Sequence, residues 1–86
     1  MPNISDLIKA DFLAIGTKLV WKRRNGQGFT AEVVEGGFIK TTDGVSHKTP
    51  SGAARSLIGR PIDGWAIWRL NDGTTLGELR SKLPNK

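Results

Sequence analysis

The chain has no cysteine, and that removes two architectures at once. No disulfide framework can staple it, and no thiolate metal centre can form. It has a single histidine, His47, and one imidazole cannot build a histidine-based zinc site unaided. No apolar run approaches the roughly 20 residues of a membrane span, and no charged-then-apolar leader opens the sequence. The expected compartment is therefore the cytoplasm, with no membrane partner. Catalytic patterns are missing as well. There is no cysteine nucleophile and no Gly-x-Ser-x-Gly elbow. His47 has no serine-and-carboxylate pair readable beside it, and the carboxylates fall at turns and caps rather than as a paired acid and base. The expectation is a protein that is not an enzyme, needs no cofactor and holds no metal.

What the chain does have is positive charge. Its 86 residues carry 13 Lys plus Arg against 8 Asp plus Glu, a formal net charge of +5. A small domain this basic points to nucleic acid or another polyanion. The acids fall largely in apparent turns, as at Asp43-Gly44, Asp63-Gly64 and Asp72-Gly73. The bases gather at Lys18, Lys22, Arg23 and Arg24, and again at Lys40, Lys48, Arg55 and Arg60. The composition is that of one ordered domain with room for a modest core.

The stretch 46–68 organises the rest. Thr49-Pro50 reads as an N-cap and first helical residue, because the hydroxyl accepts an orphan amide and proline presets φ. Gly59 supplies the stop in the left-handed conformation. Ala53, Ala54, Leu57 and Ile58 form an apolar stripe, while Ser51 and Arg55 share the opposite face. The N-terminal end of this helix, with Lys48, Ser51 and Arg55 about it, has the chemistry to hold a phosphate or carboxylate.

Before it, Asn3 or Ser5 caps a first helix with Ile4, Leu7 and Ile8 inward. A strand follows over 17–24, with Val20 breaking strict alternation. Asn25-Gly26 predicts a type I′ hairpin turn. Phe29 to Val33 and Phe38 to Thr42 give two more strands, and Val45 to His47 a short extended piece. After Gly59, Trp65 to Leu70 reads as a further strand. Thr75-Leu76-Gly77-Glu78 fits a capping box for a last helix with Leu76, Leu79 and Leu83 inward and Pro84 past its end. The fold class is α+β: a small, mostly antiparallel sheet (a β-meander plus one later strand) with three short helices.

Gly26-Gln27-Gly28-Phe29-Thr30-Ala31 matches a dinucleotide fingerprint by letter only. That motif needs a helix directly after its glycines, and here the residues alternate as a strand. Trp21 is both a core candidate and, before Lys22-Arg23-Arg24, a candidate for base stacking. The scarcity of large apolar residues favours the core. Trp65 reads as core.

In order along the chain stand Gly16-Thr17-x-Leu19-x-Trp21, Ala31-x-Val33, Gly37-x-Ile39 and Asp43-Gly44. Thr49-Pro50-Ser51-x-Ala53-Ala54, Leu57-x-Gly59 and Gly64-Trp65-x-x-Trp68 follow. This pattern resembles a RAMA domain, the restriction-enzyme-and-adenine-methylase-associated module. It makes residues 1–86 a single RAMA-like domain with its core at about 4–83. Thr49 stands where the family usually has serine, and Ser46-His47 where an aromatic residue is common. The resemblance implies a non-catalytic module that binds double-stranded DNA and senses N6-methyladenine. A catalytic partner is then a separate nuclease or methylase.

On this reading Lys22, Arg23 and Arg24 form a mobile, sequence-blind electrostatic arm at a hairpin tip. Lys48, Ser51 and Arg55 are held by a rigid helix end and set register on the duplex. His47 beside them donates or accepts at a base edge, and Lys40 adds to the second basic group. The alternative from another class is a basic protein-interaction module that docks a helix or an acidic peptide.

Overall fold

Local capping chemistry starts each of the longer helices. The computed structural model describes residues 3–83, so Pro84 lies outside the described residues. Helix α1 (Ile4–Lys9) opens on Asn3, whose side chain accepts from the Asp6 amide while the Asp6 carboxylate accepts from the Asn3 amide. Ile4 and Leu7 are fully buried. Asp11, at φ 65°, then turns the chain out of the helix, a conformation that aspartate tolerates better than most residues.

Four strands follow: β1 (Lys18–Lys22), β2 (Gly28–Val34), β3 (Phe38–Thr41) and β4 (Ser46–His47). They pair antiparallel in chain order, as the predicted meander. Leu19 opposes Ala31, which opposes Thr41; Val33 opposes Ile39, which opposes His47. Side chains alternate across a strand, so these residues, with Trp21 and Phe29, share the face turned to the core. Lys18, Glu32, Lys40 and Ser46 run in register across the opposite face.

The β1–β2 connection departs from the predicted type I′ turn. That turn needs positive φ at both central residues, and here Gly26 has it (87°) while Asn25 does not. Strand pairing stops at Lys22 and Gly28, and the Arg23 amide donates to the Gln27 carbonyl at 2.8 Å. The Asn25 side chain accepts from the Gln27 amide, which makes the loop longer and tied to itself.

Helix α2 (Pro50–Ile58) is built as its sequence prescribes. Thr49 accepts from the Gly52 amide at 2.9 Å, and Gly59 closes the helix at φ 77°. Helix α4 (Leu76–Ser81) carries the predicted capping box between Thr75 and Glu78.

Between them the structure corrects the sequence. Residues 65–70 are not a strand: Gly64–Ile67 is a single helical turn, α3, so the described residues hold four helices rather than three. Asp63 caps it by accepting from the Trp65 amide at 3.1 Å. The decisive contact is distant in sequence. A Cβ on Gly64 would stand 2.1 Å from the Pro50 carbonyl carbon and 2.4 Å from the Ser51 amide nitrogen. Gly64 thus lies directly on the first peptide of α2, and its amide donates to the Ser51 hydroxyl oxygen at 2.9 Å. Trp68, fully buried, donates from Nε1 to the Pro50 carbonyl at 3.0 Å. These bonds draw the segment into a turn before it can extend. Only Arg69 keeps strand character, bridging Val20 on one side and Thr75 on the other. That bridge gives the free edge of β1 a backbone partner at Val20, whose side chain is half-covered on the face away from the core.

Trp68, Ile4, Leu7, Leu19, Ile39, Leu76 and Val33 fill the centre. Trp21 belongs with them, with its ring centroid 5.1 Å from Phe29 and 5.8 Å from Trp68.

Candidate nucleic-acid interface

The cations expected to meet a polyanion stand on four parts of the fold. Lys22 ends β1 and is exposed, and Arg23 and Arg24 enter the hairpin loop. Arg23 is not a free arm. Its Nη1 donates to the Gln27 side chain at 3.0 Å, and its guanidinium lies 5.8 Å from the Trp21 ring centroid. Arg24 beside it is exposed. Lys40 lies on the open face of the sheet, in register with Glu32 and Lys18. Lys18 bonds Glu32 at 3.1 Å, the one ion pair among the described residues.

The group around α2 is divided by the fold. Lys48 lines a small hollow with Asn3, Ser5, Gly37 and Phe38, between α1 and the β2–β3 turn. Arg55 lines another with Thr49, Ser51, Pro61 and Ile62. The helix end between them is already engaged. Pro50 has no amide hydrogen, Thr49 takes the Gly52 amide, and Gly64 sits over the Ser51 amide. The Ser51 hydroxyl oxygen accepts from the Gly64 amide, so Ser51 joins α2 to α3.

His47 is half-buried at the edge of the sheet, where it ties β4 to α2. Its Nε2 lies 3.3 Å from the Ser56 hydroxyl and 3.5 Å from that of Thr41. Ser56 donates its hydrogen to the Ala53 carbonyl at 2.8 Å, and Thr41 donates to the Asp43 carboxylate. Both oxygens are left to accept. An Nε2–H of the imidazole can therefore donate to either of them. The Thr41 hydroxyl and the Val45 amide together hold the Asp43 carboxyl below its usual range, with His47 adding to the effect.

Trp21 does not stand on the surface as a stacking platform. It is 5% exposed and belongs to the core. Trp65, expected in the core, is half-buried, with the Arg80 guanidinium 4.2 Å from its ring centroid. Sequence reasoning missed Arg69. Its backbone bridges Val20, and its Nη1 donates to the Gly73 carbonyl at 2.7 Å, which fixes a cation beside β1. No local pattern marks it, because its place depends on a strand about fifty residues earlier.

A small sheet flanked by short helices, rimmed with exposed cations of which one is ion-paired among the described residues, defines a basic α+β module. Over residues 2–86 the chain matches the family model described as Restriction Enzyme Adenine Methylase Associated. It belongs to the RAMA family, whose description ties it to restriction–modification systems. No curated protein matches it. No helix among the described residues is long and apolar enough to cross a membrane.

Proposed function

We propose that this chain is a non-catalytic module that binds double-stranded DNA and senses N6-methyladenine, acting beside a separate nuclease or methylase. The observation that carries this reading is the unpaired cationic surface. Lys22, Arg23, Arg24, Lys40, Lys48 and Arg55 make no ion pair among the described residues. They contact phosphates, and the family's association with adenine methylases supports the choice of modification.

Within that reading the residues divide by how they are held. Arg24 is exposed on a loop and contributes affinity without sequence preference. Arg55 projects from α2 and sets register. Ser51 and His47 hold the scaffold that presents these cations, and His47 donates or accepts at a base edge.

Fluorescence anisotropy on a labelled duplex across a salt series tests the proposal. Neutralising about four phosphates gives a slope of log K against log salt near −3.6. A flat response, or no binding tighter than millimolar at low salt, rejects DNA as the partner. A protein partner that survives nuclease treatment then becomes the better account.

A further inference from the structure

A cavity lies away from α2, where the β1–β2 hairpin meets the chain after α3. It measures about 460 Å³, within the roughly 300–1,000 Å³ of small-molecule sites. Trp21, Phe29, Ile67 and Leu70 give it an apolar lining, and Lys22 and Arg69 are the charged residues on its wall. No acid lines it. Phe29 is half-buried and packs against Trp21, which presents only the small accessible remnant of its ring. The Arg69 guanidinium is fixed by the Gly73 carbonyl through Nη1, which leaves its other N–H groups free to bind an anion.

We propose that this cavity binds the base of a purine nucleotide, with Lys22 and Arg69 at its phosphate. Apolar and aromatic walls suit a base, and two cations with no opposing acid suit the phosphate beside it. A base inside a duplex cannot enter a concavity; it must be extruded from the stack. The cavity is therefore the place where an N6-methyl group is read, by burial against apolar walls. This step rests on the DNA-binding reading above. The same chemistry also fits a free nucleotide, and the two sources are separable.

Gly28 provides the test. It lines the cavity, its φ is ordinary, and a Cβ there would meet nothing within 4 Å. Gly28→Leu fills the space without disturbing the core, and an unchanged melting temperature checks this. Three probes are used: an unmodified duplex, the same duplex with one N6-methyladenine, and free N6-methyl-deoxyadenosine monophosphate. The wild type should bind the methylated duplex about four-fold more tightly, the factor equivalent to the ~0.8 kcal/mol of one buried methyl group. Gly28→Leu should abolish that preference, so that the two duplexes bind with equal affinity. Arg69→Met, which keeps the stem and removes the charge, should weaken the free nucleotide.

If the methylation preference survives Gly28→Leu, the cavity is not where the base is read, and the DNA-binding reading stands without it. If neither duplex binds but the free nucleotide shifts the Trp21 indole resonance and is lost in Gly28→Leu, the source is a free nucleotide and extrusion is overturned. If no probe binds, both proposals fall.

Discussion

Gly64 is the residue on which the middle of the chain turns, and it is needed for lack of a side chain rather than for flexibility. It is buried against the first peptide of α2, where a Cβ would lie 2.1 Å from backbone. Gly64→Ala must push α2 and α3 apart, and the expected loss is about 3 kcal/mol in urea denaturation. Trp68→Phe removes the Nε1 donor at 3.0 Å and leaves the Pro50 carbonyl buried without that partner. It should cost about 2 kcal/mol. Asp43 gives a signature of another kind. Its folded carboxyl titrates below the unfolded value of 3.8 because Thr41 and Val45 donate to it. A depressed folded value means stabilisation that is present above the unfolded value and lost as pH falls through the folded one. Asp43→Asn should therefore lower the melting temperature slightly at neutral pH, and its difference from wild type should shrink as pH falls below about 4.

Elements whose start and stop are local were legible in the sequence. Thr49-Pro50 and Gly59 bound α2 as read, and Thr75 with Glu78 opens α4. Asn3 proved to be the cap of α1. The meander followed from alternation and from turn glycines. Thr49→Ala should lower stability by about 1 kcal/mol. Gly59→Ala, forced to hold φ near 77°, should cost about 1–2 kcal/mol in the same measurement. What was not legible lies where a distant contact decides. Trp65 to Leu70 is a short apolar run, and periodicity alone cannot separate strand from helical turn there. The Asp63 cap and the Pro50–Gly64 contact settle it, and the second of these spans two elements. At the hairpin, Asn25-Gly26 located the turn but misjudged its type, because the Gln27 amide and carbonyl are both drawn into the loop.

Over the whole molecule, the excess of basic residues was plain from composition, but its arrangement was not. Lys48, Ser51 and Arg55 are close in sequence, yet the fold sends Lys48 towards α1 and Arg55 towards the segment before α3. Lys22 and Arg69, about fifty residues apart, line one cavity. Arg23, next to Arg24, is bound to Gln27 while Arg24 is exposed. Arg24→Ala should therefore weaken methylated and unmodified duplex equally and reduce the salt slope by about 0.9, one phosphate contact. Arg55→Ala, which removes a cation fixed on a helix, should instead narrow the difference between the two duplexes.

That difference is the quantity on which the account stands. Paired titrations of the wild-type chain at one salt concentration, with two duplexes that differ by a single N6-methyl group, measure it directly. The methylated duplex should bind about four-fold more tightly, the effect of one buried methyl. Equal affinities would contradict methyl sensing and leave a basic module that binds DNA without reading its modification.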